Sequence, residues 1–145
     1  MSVRLNAQQI ENQQRIEAAV AGPDGATRLF VFAGLLQADI ATYCSAAQTV
    51  SQTQTFTVLI GPVLSRRQFV QAIATAAIAG TSTGFQTLPA QFSSQINGVD
   101  ADWDDESGQV NLSIEVSVSA TGTMVNNCIQ KLSFQVTILA AIDQQ

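Results

Sequence analysis

Histidine is absent from the 145 residues. With it go the commonest general base, the usual nitrogen ligand for metals and the standard nucleophilic triad. Cysteine is nearly absent. Cys44 and Cys128 stand far apart, and Lys131 is the nearest basic residue that could activate either thiol. No signal peptide is recognisable in Met1 to Asn6, so two free thiols in a reducing compartment are expected. The chain contains no GxxxxGK loop, no GxGxxG and no CxxC. No apolar run approaches the roughly 18 residues that a membrane helix needs, and no repeat of fixed period is visible.

Charge is also scarce. Asp, Glu, Lys and Arg make up 12% of the chain, about half the usual share of roughly 25%. The balance is −5, which argues against sequence-independent nucleic-acid binding, since that needs a basic face. These absences predict no enzyme, no cofactor and no metal.

What replaces charge is neutral polarity, with 18 Gln against 6 Lys plus Arg. A surface of Gln, Thr, Ser and Asn can be buried against a partner at lower desolvation cost than Lys or Glu. Compositional drift in the source organism is the plainer explanation of the same numbers. At this length the chain fits one domain with a real core.

The clearest pattern runs from Gly98 to Ala120. Val110, Leu112, Ile114, Val116, Val118 and Ala120 alternate with Asn111, Ser113, Glu115, Ser117 and Ser119. A period of two places each set on one face of a half-buried antiparallel strand. Val99, Ala101 and Trp103 alternate in the same way with Asp100, Asp102 and Asp104, and Asp105 to Gly108 supply turn formers. Both apolar sets share a face only if paired residue numbers sum to an odd value. Closure by Asp104 and Gln109 then sets Trp103 opposite Val110, Ala101 opposite Leu112 and Val99 opposite Ile114.

Elsewhere the spacing predicts helices. The first runs from an Asn6 cap to Ala21, with Gly22 and Pro23 as a stop and a turn at Pro23, Asp24 and Gly25. Its apolar stripe is thin (Ile10, Ile16 and Val20), so it is expected to pair with copies of itself or lie on the body by a narrow contact. A second helix is predicted over Ala26 to Ala47, because Leu29, Ala33, Leu36, Ile40, Tyr43, Ala47 and Val50 recur every three or four residues. A short strand over Leu29 to Phe32 competes with it. Ser65 and Gln68 form a capping-box pattern ahead of a third helix, Phe69 to Ala79, stopped by Gly80. Arg66 and Arg67 sit in its first turn, the wrong end for the helix dipole, which marks them as candidate partner contacts. Gly80 to Asn97 reads as a loop anchored by Phe85, Leu88, Phe92 and Ile96, with room for a short helix over Ala90 to Ile96.

The acidic cluster Asp100, Asp102, Asp104, Asp105 and Glu106 begins like a calcium loop. Asp105 stands where Gly is required and Asn111 where Glu is required, so no metal site is expected. A solvated acidic edge that discourages strand-to-strand aggregation is the simpler reading.

The expected fold is α+β: a mostly antiparallel sheet, built from the hairpin 98–120 and strands near 53–60 and 132–142, with two or three helices on one face. Residues 1–22 form an N-terminal helix that could serve as an assembly arm, and 23–145 form one α+β domain. The expected function is a non-enzymatic structural subunit of a homo-oligomeric or larger assembly, for example a virion or tail-like particle component. Its partners would be copies of itself and other assembly proteins, without nucleic acid, membrane or small molecule, in the cytoplasm or in the particle. Ile10, Ile16, Val20, Arg66 and Arg67 are the candidate partner contacts. The alternative is a small-ligand or protein-binding module with an apolar pocket between sheet and helices, lined by Phe85, Phe92 and Trp103.

Overall fold

The computed structural model describes residues 2–5, 9–22, 25–86 and 89–141. Nearly all of them lie in eight strands: β1 (Ser2–Leu5), β2 (Ile10–Gly22), β3 (Gly25–Cys44), β4 (Gln48–Ile60), β5 (Phe69–Phe85), β6 (Gln91–Trp103), β7 (Val110–Gly122) and β8 (Val125–Ala141). Two four-stranded sheets result. The first has the order β1-β4-β7-β6 and the second β2-β3-β8-β5. Every pair is antiparallel except β1 with β4.

The sheets face each other across one apolar core, because each central strand turns alternate residues inward. Val110 to Ala120 do so on β7, Phe56, Val58 and Ile60 on β4, and Leu132 to Ala140 on β8. On β3 the inward residues are Phe30, Phe32, Leu36 and Ile40. The register of β3 with β8 shifts between Gln37 and Ile40, where Asp39 takes φ 47°. On β8 the inward set correspondingly changes from Val125, Asn127 and Ile129 to Leu132, Phe134 and Val136. A bulge thus lets both halves of two long strands present apolar residues to the same core.

The α+β expectation is overturned, since no α-helix occurs among the described residues. The segment predicted as a first helix contains β2; the Asn6 cap and the Pro23–Asp24 part of the turn lie outside the described residues. The second predicted helix is β3, and the strand-like Leu29–Phe32 was the better guide. The third is β5. The segment from Ala90 to Ile96, where a short helix had room, enters β6. Ser65 and Gln68 do exchange the two capping-box bonds, Ser65 N–H to Gln68 Oε1 at 2.9 Å and Gln68 N–H to Ser65 Oγ at 3.3 Å. They close a single turn that leads into a strand. Capping stabilises a helix start only if the following residues gain more as helix than as strand, and β5 gains a full ladder on β8.

The β6–β7 hairpin has the register that the parity argument requires. Trp103 pairs with Val110, Ala101 with Leu112 and Val99 with Ile114. Asp104 N–H donates to Gln109 O at 2.9 Å to close it. Strands also stand where 53–60 and 132–142 predicted them, as parts of β4 and β8, with Ile142 outside the described residues. Gly108 has φ +73°, and a Cβ there would meet Val63 Cγ1 at 2.9 Å and Leu64 O at 3.1 Å. Only glycine meets both demands. Trp103 is half-buried, and its indole N–H lies 3.0 Å from Leu64 O and 3.2 Å from Gly108 O.

Candidate assembly surface

The two outer faces differ in chemistry. On the β1-β4-β7-β6 sheet the outward positions are hydroxyls and acids: Thr49, Thr53, Thr55 and Thr57 on β4, Ser113, Ser117 and Thr121 on β7, and Asp100 and Asp102 on β6. They bond among themselves, Thr49 to Thr121 at 2.9 Å and Thr53 to Ser117 at 2.8 Å. Asn97 Nδ2 donates to Glu115 at 3.1 Å and to Ser117 Oγ at 2.6 Å. Most of this face is satisfied from within, with Asn111 Oδ1 left without a partner among the described residues.

The outer face of the other sheet is apolar or neutral over three rows, and beyond them it carries the exposed Glu11–Lys131 ion pair at 2.8 Å, with Lys131 opposite Gly80 of β5. One row across it reads Ile16, Val31, Thr137, Ile73, and the next reads Ala18, Leu29, Leu139, Gln71. A third reads Gln14, Ala33, Gln135, Thr75. None carries a charge. Ile16 is 65% exposed and Ile73 58%.

The four edges differ as well. β1 is short, with 4 residues. β2 has a bulge at Asn12 (φ 52°) and turns charges inward. Arg15 stacks over Phe30 and Phe32, 5.5 and 5.6 Å from the ring centroids, and Glu17 receives both Arg15 and Arg28. β6 carries Asp100 and Asp102. These are the devices by which natural sheets blunt an edge. β5 has no charge and no proline in 17 residues. Its own irregularities lie at its start and between Ile78 and Thr81, leaving an unbroken ladder on β8 from Gln71 to Ile78.

Large exposed apolar side chains lie toward both ends of this side of the sandwich, where β5 lies over β6. Val70, Ile73 and Phe85 are on β5 and Phe92 is on β6, with the Phe85 and Phe92 rings 6.2 Å apart. A signal for this was present in the sequence and was missed. From Gln68 to Val99 there is no charged residue at all.

The predicted contact residues do not form one patch. Ile10 is buried in the core and Ile16 is exposed on β2. The Val20 side chain lies outside the described residues. Arg66 and Arg67 are exposed in the turn before β5. Phe85 and Phe92 touch each other, whereas Trp103 sits at the opposite end of β6 against Leu64 and Gly108.

Shallow clefts among the described residues include one of about 430 Å³ between Ala47, Thr49, Pro89 and Thr121, one of about 440 Å³ between Arg15, Phe32, Pro62 and Gln109, and one of about 300 Å³ between Thr75, Ala77, Ser133 and Gln135. Phe85, Phe92 and Trp103 line none of them. Among the described residues no three carboxylate or thiol groups converge as a metal would require. No helix there is long and apolar enough to cross a membrane. Cys44 and Cys128 are both free, and the Cys44 thiol donates to Ala120 O at 3.1 Å. Searches against models of protein families, curated proteins and solved structures found no match for this chain.

Proposed function

We propose that the chain is a non-enzymatic structural subunit of a homo-oligomeric or larger assembly, acting in the cytoplasm or in a particle of the virion or tail-like kind. The observation that carries this reading is the uncharged β5 edge with the neutral rows beside it on the β2-β3-β8-β5 sheet, set against three other edges that are short or carry charge. Contiguous apolar surface rimmed by polar residues marks a contact surface, and charge is depleted at the cores of interfaces. Copies of the same chain are the first partners, with other assembly proteins beside them. Sedimentation and light scattering from about 1 to 100 µM test it. Mass rising above 15.3 kDa with concentration is expected, and a monomer throughout would overturn the reading.

A further inference from the structure

Resting on that reading, we infer that β5 pairs antiparallel with β5 of a second copy across a two-fold axis, joining two four-stranded sheets into one of eight. The free edge of β5 is the one long edge among the described strands without a charge, and its regular part, Gln71 to Ile78, offers a ladder to an incoming strand.

Identity of the occupant follows from parity and charge. When an antiparallel strand meets its own copy in an even-sum register, odd residues face odd residues. Ile73, Thr75 and Ala77 of the two copies then share one face, and the neutral rows of both sheets run on without a break. An odd sum would turn the exposed Ile73 of one copy toward the core side of the other.

Symmetry selects the antiparallel sense, because a parallel pair of the same edge needs a two-fold along the strand, which would set the core face of one sheet beside the outer face of the other. The start of β5 lies near the end of β6, where Arg66, Arg67, Asp104, Asp105 and Glu106 collect, since the Trp103 indole bonds to Leu64 O. A parallel pair would superpose these ends. The antiparallel pair sets each beside the uncharged end that holds Phe85, Phe92 and Ser93.

Area sets the strength of the pairing. At about 3.3 Å per residue, Gln71 to Ile78 span about 26 Å, and a sheet edge with its side chains is about 10 Å deep, so the regular part buries on the order of 500 Å² in total. Pairing carried past the irregular stretch at Ile78 to Thr81 over all 17 residues raises this to on the order of 1,100 Å², the lower end of a specific interface.

The test compares Thr75→Lys, which places a charge on the β5 edge, with Ser51→Lys at an exposed position of β4 on the outer face of the other sheet. Sedimentation equilibrium reads the association, and hydrogen exchange on the wild type at low and high concentration locates it. Thr75→Lys should weaken association at least about tenfold while Ser51→Lys leaves it within about twofold. Protection should rise with concentration in peptides from 69–85. Association that survives Thr75→Lys, or concentration-dependent protection confined to 10–22 or 91–103, overturns the β5 pairing while leaving the assembly reading in place. A wild type monomeric at every concentration overturns both. If Thr75→Lys does not fold, the exchange pattern of the wild type decides alone.

Discussion

At Asn127 the chain buries an amide in an otherwise apolar layer. The side chain of this β8 residue is 1% exposed, and its Nδ2 lies 3.0 Å from Ser93 O on β6 and 2.9 Å from Ser119 O on β7. It therefore ties one sheet to both neighbouring strands of the other and fixes how they stack. Its ladder partner Thr42 is also buried, and the Thr42 hydroxyl makes no hydrogen bond to the described residues. The two should respond oppositely to removal. Asn127→Ala should cost about 2–3 kcal/mol in urea melts, because it strands two carbonyl acceptors. Thr42→Val, which keeps the shape and removes a hydroxyl paired with no protein group, should be neutral or stabilising by up to about 1 kcal/mol. A clear loss for Thr42→Val would mean that its hydroxyl is satisfied through solvent. Asp104 gives a residue-scale pH dependence. The Ser107 hydroxyl, at 2.6 Å, and then the Ser107 N–H, at 3.1 Å, hold its carboxyl below the ordinary carboxylate value, with Arg4 adding a smaller pull in the same direction. A carboxylate favoured in the folded state stabilises above the unfolded value of about 3.9, and that contribution is lost as pH falls through the lower folded value. The stability difference between wild type and Ser107→Ala should be full at neutral pH and shrink in acid below about pH 4. A difference that grows on acidification would contradict this assignment.

Among the elements, β3 shows why a helical pattern misled. Leu29, Ala33, Leu36 and Ile40 recur at helical spacing, yet the strand puts Leu29 and Ala33 on the outer face and Leu36 and Ile40 in the core. Both faces of this strand carry apolar residues, so no alternation was visible. The bulge at Asp39 leaves the inward residues of β3 at even numbers from Phe30 to Cys44 and moves the break in alternation to β8, between Ile129 and Leu132. β5 hid in the same way: alternate alanines, Ala72, Ala74 and Ala76, pack inward, while Ile73 and Ala77 lie outside. Small side chains of high helix propensity form a strand here because the ladder with β8 outweighs local preference. The 98–120 hairpin was legible for the opposite reason. Its outer face is polar at every second residue, so a single period survives, and its register was fixed by numbers alone. The assembly surface was legible only as low charge, since its location depends on which strands end up at edges. The strand assignment of β3 makes a sharp comparison. Phe32 is 3% exposed, and Phe32→Ala should cost about 3–5 kcal/mol. Val31→Ala, on the outer face beside it, should cost about 1 kcal/mol or less. Equal losses in equilibrium unfolding would contradict the inward and outward assignment along β3.

Over the whole molecule the distribution of charge matters more than its sum. Acidic groups lie on the outer face of the first sheet, at the hairpin tip and on β2 and β3, basic groups on β1, at the β2–β3 edge, in the turn before β5 and at Lys131 of β8, and β5 itself has none. Two copies at −5 each repel weakly at a distance, yet no ion pair is available where β5 meets β5. Salt therefore has one effect on association. It screens the long-range repulsion, over about 10 Å at 0.1 M, and breaks nothing at the contact. The dissociation constant should fall slightly or stay within about threefold between about 0.05 and 0.5 M NaCl. An interface built on the Arg66 and Arg67 turn against the acidic tip of a neighbour would behave in the opposite way, weakening steeply over the same range. Analytical ultracentrifugation in a salt series separates the two. Association that collapses with salt would move the contact from the uncharged β5 side to the charged end of the sandwich.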